Sequence, residues 1–101
     1  MAFSLAQLQR VIRETYDEKD RRRGVEGTFM WLMEEVGELA TALRSQTKKE
    51  QEEEFADVLA WLATLANIAE IDLEKAVAAK YGAGCPGCGQ VPCVCQQAEK
   101  P

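Results

Sequence analysis

Carboxylates in two short acidic clusters are the residues of this sequence with the clearest capacity for chemistry. The first cluster is Glu34, Glu35 and Glu38, and the second is Glu54 and Asp57. At about 100° per residue, the acids of each i,i+3 pair share one face of a helix. Such pairs are common on solvated helix surfaces, so spacing alone leaves ordinary surface acids as an open alternative.

The surroundings of Asp57 give the second cluster more weight. Asp57 lies within FADVLAWLATLANIA, where Thr64 and Asn67 are the other polar residues. We expect this helix to need packing partners on several sides, some of them from another subunit, and a carboxylate buried there is costly without an arginine or a cation beside it. If the two acidic helices pack antiparallel, their acids face one groove and form an all-oxygen site. Such a site suits Mg²⁺ or Mn²⁺ better than Zn²⁺, and it favours attack of a metal-activated water on a phosphoryl group.

Composition narrows the classes of function. The 101 residues predict one domain, small enough to benefit from oligomerisation. The net charge of −5 argues against a nucleic-acid partner. The absence of histidine excludes Ser–His and Cys–His nucleophilic pairs and a Cys₂His₂ zinc finger. Since neither a long apolar run nor a signal-peptide pattern occurs, we expect no membrane partner and a cytoplasmic location.

Four helices are predicted to position the acids. Ser4 and Gln7 form a capping-box pattern at the start of the first helix, and Asp72 is an N-cap candidate for the last, which we expect to end at Gly82. The charged run 17–27 predicts a solvated connection, or a phosphate-attracting loop. No strand-like alternation occurs, so the fold class is an all-α bundle. The helices are predicted at about residues 5–16, 28–44, 50–69 and 73–81.

The two acidic segments resemble a known enzyme family. The strings LMEEVGELATAL and EEFADVLAWLATLANIAEIDLEKAVAAKYG are similar to the MazG-like superfamily of all-α nucleoside triphosphate pyrophosphohydrolases. The shared pattern is E-E-x-x-E on one helix and E-x-x-D on the next, over about residues 28–82. The resemblance implies cleavage of a nucleoside triphosphate between the α- and β-phosphates, and a homodimer or homotetramer. It also implies a catalytic role for Glu34 at the attacking water, and a set of Mg²⁺ ligands: Glu35, Glu38, Glu54 and Asp57.

Candidates for nucleotide binding come from the remaining helical residues. Lys80 is the first candidate for contacts with the phosphates, since the family often has a lysine near the end of its last helix. The alternatives are Arg44, Lys48 and the arginines at 21–23. Trp31 and Trp61 are candidates for stacking on the base, with core or interface packing as the alternative. Asn67 is a candidate hydrogen-bond partner of the nucleotide, or a polar contact between helices.

All four cysteines lie in CPGCGQVPCVC, at Cys85, Cys88, Cys93 and Cys95. Two closely spaced thiol pairs with intervening glycine and proline predict a structural Cys₄ zinc site. Redox-active or free thiols, an iron–sulfur site and two disulfides are the alternatives. We therefore divide the chain into a helical domain at 1–82, a zinc knuckle at 83–96 and a disordered tail at 97–101. A non-catalytic, zinc-binding dimeric interaction module is the competing function.

Overall fold

The computed structural model describes residues 2–96 and is all-α within them, as predicted. Helix α1 is Leu5–Ser45, α2 is Lys48–Ile68 and α3 is Leu73–Tyr81. The described residues therefore contain three helices rather than the predicted four, because the first two predicted helices are arms of α1. The tail predicted at 97–101 lies outside the described residues, and 83–96 forms turns without helix or strand.

Side-chain caps begin each helix. The Ser4 hydroxyl accepts a hydrogen bond from the Gln7 N–H at 3.1 Å, and the Gln7 amide oxygen accepts from the Ser4 N–H at 2.7 Å. The predicted capping box is therefore confirmed. Thr47 and Glu50 form an equivalent box, so α2 starts at Lys48, two residues before its predicted start. The Asp72 carboxylate accepts from the Lys75 N–H at 3.0 Å, which confirms the predicted N-cap of α3.

The prediction of a solvated connection at 17–27 is wrong, because helix α1 continues through most of this segment. Ion pairs one helical turn apart explain why the charged run is helical. Arg21 contacts Asp17 at 3.0 Å, and Arg22 contacts Glu18 at 2.8 Å. Since both pairs are exposed, each contributes only a few tenths of a kcal/mol to the helix, on the order of 0.3–0.5.

A single residue, Gly24, interrupts the helical backbone of α1. Its φ of 80° and ψ of 178° lie outside helical space, and the helix kinks there. This combination is essentially restricted to glycine, because a side chain would meet the backbone of its own residue. Gly24 therefore divides α1 into an N-terminal arm, residues 5–23, and a C-terminal arm, residues 25–45.

Helix α2 packs against both arms of α1, and a small core lies between them. The buried apolar residues Ile12 and Leu32 come from α1, and Ala63 and Ala66 come from α2. Polar contacts add to this interface at one end of α2. The Gln9 side chain donates to the Asn67 amide oxygen at 3.0 Å, and the Asn67 amide nitrogen donates to the Gln9 carbonyl at 3.0 Å.

Much of the apolar surface of α2 is uncovered in the single chain. Phe55 is 56% exposed, Leu59 is 42% exposed and Leu62 is 40% exposed. Exposed apolar side chains on the C-terminal arm of α1 include Phe29 and Met33. The apolar sequence of α2 predicts packing partners on several sides, some of them from another subunit, and within one chain these side chains stay uncovered. Among the described helices, none combines the length and apolar character needed to cross a membrane.

Candidate functional site

Three of the predicted metal ligands converge from two helices. Glu35 and Glu38 project from α1 and Glu54 projects from α2, and one carboxylate oxygen of each lies within 4.8 Å of the others. The C-terminal arm of α1 runs antiparallel to α2. Trp31 stacks on Trp61, while Glu35, which is later in α1, lies near Glu54, which is earlier in α2. The antiparallel packing expected from the sequence is therefore present, and it brings together three of the four acids expected in the groove.

Glu35, Glu38 and Glu54 form an acidic cluster whose environment favours the protonated forms of Glu35 and Glu54. Burial raises the pKa of the Glu35 carboxyl, and the negative charges of its neighbours, first Glu38, raise it further. Burial also raises the pKa of Glu54, with added repulsion from Glu38 and Asp57, while a hydrogen bond with Glu35 acts in the opposite direction. A cation placed among these oxygens would remove the repulsion.

One oxygen of Glu54 has no partner within the described residues. Its Oε2 atom is buried and makes no hydrogen bond to any residue from 2 to 96. A buried carboxylate oxygen normally accepts at least one hydrogen bond, because desolvation without a partner is unfavourable. The unpartnered oxygen is therefore available to a cation or to a polar ligand in the groove.

Asp57 and Glu34 lie at the edge of the cluster. Asp57 is one turn beyond Glu54 on α2, and its charge raises the pKa of both Glu35 and Glu54. The premise that Asp57 is buried is wrong for the single chain, because its side chain is exposed. No basic side chain among residues 2–96 forms an ion pair with it, so the alternative of an arginine partner is not observed. Glu34 is exposed beside Glu35.

The two tryptophans stack on each other beside the acids. The ring centroids of Trp31 and Trp61 are 5.9 Å apart, with 14° between the ring planes. The Arg23 guanidinium carbon lies 4.8 Å from the centroid of the Trp61 ring. Trp31 is one turn before Glu35 and Trp61 is one turn after Asp57, so the aromatic stack adjoins the carboxylates.

Arg23 is held in place by buried polar groups. Its Nη1 atom donates to Asp20 at 3.0 Å and to the Thr28 hydroxyl at 3.2 Å. Asp20 and Thr28 are both buried, which fixes the guanidinium relative to the kink at Gly24. Sequence reasoning considered Arg23 only as part of a solvated connection or a phosphate-attracting loop, and it missed Asp20 and Thr28. The i,i+3 and i,i+4 opposite charges over 17–23 were the signal for a helix there.

A cavity of about 330 Å³ opens between the N-terminal arm of α1 and α2. Its volume is at the lower end of the range of small-molecule sites. Asp57 and Trp61 reach it from α2, and Lys19 and Arg23 contribute positive charge from α1, so the cavity adjoins the acidic cluster at Asp57. Lys19 was not among the sequence candidates. The remaining lining residues are Ile12, Tyr16, Asp20, Ala60 and Thr64.

Asn67 and Lys80, which the sequence suggested as nucleotide-binding residues, do not line this cavity. Asn67 is buried between the helices, where its amide oxygen also accepts from Arg13 at 2.9 Å. Both ends of its amide thus contact α1, as in the helix-interface alternative. Lys80 is exposed in the last turn of α3, with its Nζ 5.6 Å from the Tyr81 ring centroid.

The four cysteines form a second cluster, distinct from the acids. One sulfur of each lies within 4.8 Å of the others, and all four are free thiols. Hydrogen bonds from the backbone N–H groups of Val94 and Gln90 lower the pKa of the Cys88 thiol to about 6. Hydrogen bonds with Cys93 and Cys85 raise the pKa of the Cys95 thiol to about 12.

The comparison with known families agrees with this arrangement. The sequence profile of the MazG nucleotide pyrophosphohydrolase domain matches residues 23–88, which is well over half of the chain. The match spans both acidic segments and the first two cysteines, and the family consists of hydrolases that act on nucleotides and are typically metal-dependent. No curated protein matches the sequence. The kinked helical pair and its converging carboxylates thus belong to a member of the MazG family.

Proposed function

We propose that this protein is a Mg²⁺-dependent nucleoside triphosphate pyrophosphohydrolase that yields a nucleoside monophosphate and pyrophosphate. The observation that carries the proposal is the convergence of Glu35, Glu38 and Glu54 from two helices to within 4.8 Å. Membership of the MazG family supports hydrolysis of a nucleotide. Cleavage between the α- and β-phosphates, in either ribo- or deoxyribonucleotides, is inferred from the resemblance of the acidic motifs.

The donor atoms fit a hard divalent cation. Carboxylate oxygens are preferred by Mg²⁺ and Mn²⁺, whereas Zn²⁺ prefers nitrogen and sulfur. The buried Oε2 of Glu54, which has no hydrogen-bond partner in the described part of the chain, supports a cation at this position. Asp57 completes the proposed ligand set from the rim, where its exposure leaves it able to turn toward a cation shared with the phosphates.

Bound magnesium would supply charge neutralisation of the phosphates and a lowered pKa for a coordinated water. The chain itself orients the reactants. Glu34, beside Glu35 on the exposed edge of the groove, would accept the proton of the attacking water at its carboxylate. Glu35, Glu38 and Glu54 would hold the phosphate end of the substrate near this base through the shared cation.

The cavity beside Asp57 is our proposed place for the rest of the nucleotide. The Trp61 ring, which stacks on Trp31 and lies close to the Arg23 guanidinium, lines this cavity and would contact the base there. Lys19 and Arg23 add positive charge suited to phosphate oxygens. Lys80 stays a proposed phosphate contact, one that a movement of α3 or a second copy of the chain would have to bring to the groove.

Self-association is part of the proposal. The exposed apolar side chains of α2, above all Phe55, would be covered in a homodimer or homotetramer. We also propose a cytoplasmic protein, since four free thiols suit a reducing compartment. The net charge of −5 supports the proposal that neither nucleic acid nor a membrane surface is a partner.

The decisive experiment measures pyrophosphate release from a panel of NTPs and dNTPs, with Mg²⁺ or Mn²⁺. We expect Glu38→Gln and Asp57→Asn to lower kcat by about 100-fold or more, as loss of a preorganised electrostatic group typically does. Glu52→Gln is the matched control, since it removes one exposed charge of α2 outside the cluster. Absence of cleavage across the panel, or equal activity in all three variants, would refute the proposal.

The cysteine cluster favours a second candidate function, a non-catalytic zinc-binding interaction module. In that case the helices would form a dimerisation platform and residues 83–96 would contact a partner. The two functions differ in a direct titration. Mg²⁺ binding that Glu38→Gln abolishes supports the enzyme, whereas partner binding that needs Cys85, without any Mg²⁺ binding, supports the module.

A further inference from the structure

The turns that follow α3 are organised around sulfur rather than around an apolar core. Val91 is 82% exposed and Val94 is 66% exposed, so the two largest aliphatic side chains of residues 83–96 face solvent. The four cysteine sulfurs meanwhile lie within 4.8 Å of one another. A segment that buries so little apolar surface needs another source of stability to keep one conformation.

Distances between the sulfurs indicate a shared cation rather than disulfides. The Sγ atoms of Cys85 and Cys95 are 3.7 Å apart. A disulfide bond is about 2.05 Å long, so these atoms are not bonded. Two sulfurs that bind one tetrahedral zinc ion at about 2.3 Å are separated by about 3.8 Å. The observed separation therefore matches the edge of a zinc–thiolate tetrahedron.

Backbone N–H groups point toward three of the four sulfurs. The Gly87 N–H donates to Cys85 Sγ at 3.3 Å, and the Val94 N–H donates to Cys88 Sγ at 3.4 Å. The Cys95 N–H donates to Cys93 Sγ at 3.3 Å. Such donors stabilise negative charge on sulfur and fix the direction of each ligand. This second layer of contacts is what a thiolate metal site requires.

Two glycines with positive φ allow the chain to bring the cysteines together. Gly84 has a φ of 113° and Gly89 a φ of 73°, conformations that other residues rarely adopt. The Gly89 N–H donates to the Cys85 carbonyl at 2.6 Å, and the Cys85 N–H donates to the Gln90 carbonyl at 3.1 Å. These reciprocal contacts close the first turn with Cys85 and Cys88 on it.

We propose that Cys85, Cys88, Cys93 and Cys95 bind one structural Zn²⁺ ion, which holds residues 83–96 folded at the end of α3. Binding displaces the thiol protons to solvent and leaves four Zn–S bonds. With four protein ligands the ion has no open position for water or substrate, so its role is structural. The site shares no residue with the carboxylate cluster and does not depend on the proposed hydrolysis.

Metal analysis of the intact protein, purified under reducing conditions, tests the site. We expect one zinc and no iron per chain, and replacement by Co²⁺ should give the visible absorption of tetrahedral cobalt thiolates. Cys88→Ser and Cys93→Ser should lose this zinc, whereas the control Glu38→Gln should retain it. Iron with acid-labile sulfide, disulfides in place of metal, or zinc retained by both cysteine variants would overturn the proposal.

A second measurement does not depend on the folding of any variant. In the wild-type protein, the four thiols should resist alkylation until a strong chelator is added. Hydrogen exchange should then increase at the amides of Gly87, Val94 and Cys95, while the amides at the α1–α2 interface remain protected. Thiols that react at once in the untreated protein, or exchange that chelation leaves unchanged in residues 83–96, would contradict a structural zinc ion.

Discussion

The kink of α1 rests on one residue, so replacing Gly24 with alanine is a direct test of the fold. At φ 80° and ψ 178°, a non-glycine residue is strained by about 1–3 kcal/mol. An added Cβ would meet no atom of the described residues 2–96 within 4 Å, so steric contact with them adds nothing to this cost. For a domain of this size, a loss of 1 kcal/mol lowers the Tm by about 4–8 °C. We therefore expect Gly24→Ala to lower the Tm by at least about 4 °C.

Gly37→Ala is the matched control, because the same change at a helical position should have the opposite sign. Gly37 lies within α1, and an added Cβ would again meet no atom within 4 Å. Alanine in a helix interior is favoured over glycine by about 0.5–1 kcal/mol. Thermal and urea unfolding at one protein concentration would measure both variants. If Gly24→Ala were as stable as Gly37→Ala, residue 24 would be helical and the kink would be absent.

Three further predictions concern the groove and its support. Asn67→Ala should lower the free energy of unfolding by about 2–4 kcal/mol, since three hydrogen bonds are lost. The same substitution should leave KM unchanged. A raised KM with unaltered stability would instead indicate that Asn67 binds the nucleotide. The raised pKa values of Glu35 and Glu54 mean that the folded chain binds more protons than the unfolded chain. In the absence of metal, the free energy of unfolding should therefore fall as the pH rises above 4.5 and through the raised pKa values of these two residues. Measurements of Tm over a series of pH values test this, and either added Mg²⁺ or the Glu35→Gln substitution should make the Tm less dependent on pH. Trp61→Ala should raise KM by about tenfold or more, the usual contribution of a stacked base, with Trp31→Ala raising it less because Trp31 does not line the cavity.

The helix caps and the acidic clusters could be predicted from the sequence because local spacing determines them. Ser4 with Gln7 is a contact between residues in one turn, and Glu35 with Glu38 lies on one face of any helix. The kink at Gly24 could not be located in this way. The charged run before it contains ion pairs at helical spacing, so it favours a continuous helix, and the spacing of the glycines does not show which of them breaks it.

The cavity and its arginine depend on contacts between distant parts of the chain. Arg23 meets Trp61 across the α1–α2 interface, and nothing in the spacing of either residue reveals that pair. Asn67 was recognised as an unusual polar residue in an apolar helix, but its partner Gln9 lies 58 residues away. Sequence periodicity assigns such residues to a buried face and does not show what they bind there.

Glu54, rather than Asp57, provides the strongest structural argument for a cation site. The sequence suggested that Asp57 would be an isolated charge in a buried helix, yet its side chain is exposed in the single chain. Glu54 is the residue whose buried Oε2 lacks a partner among residues 2–96 and whose pKa is raised by burial and by like charges. Acids from two helices approach one another here, with Glu35 and Glu54 partly buried, and a divalent cation is the partner that would make this arrangement favourable.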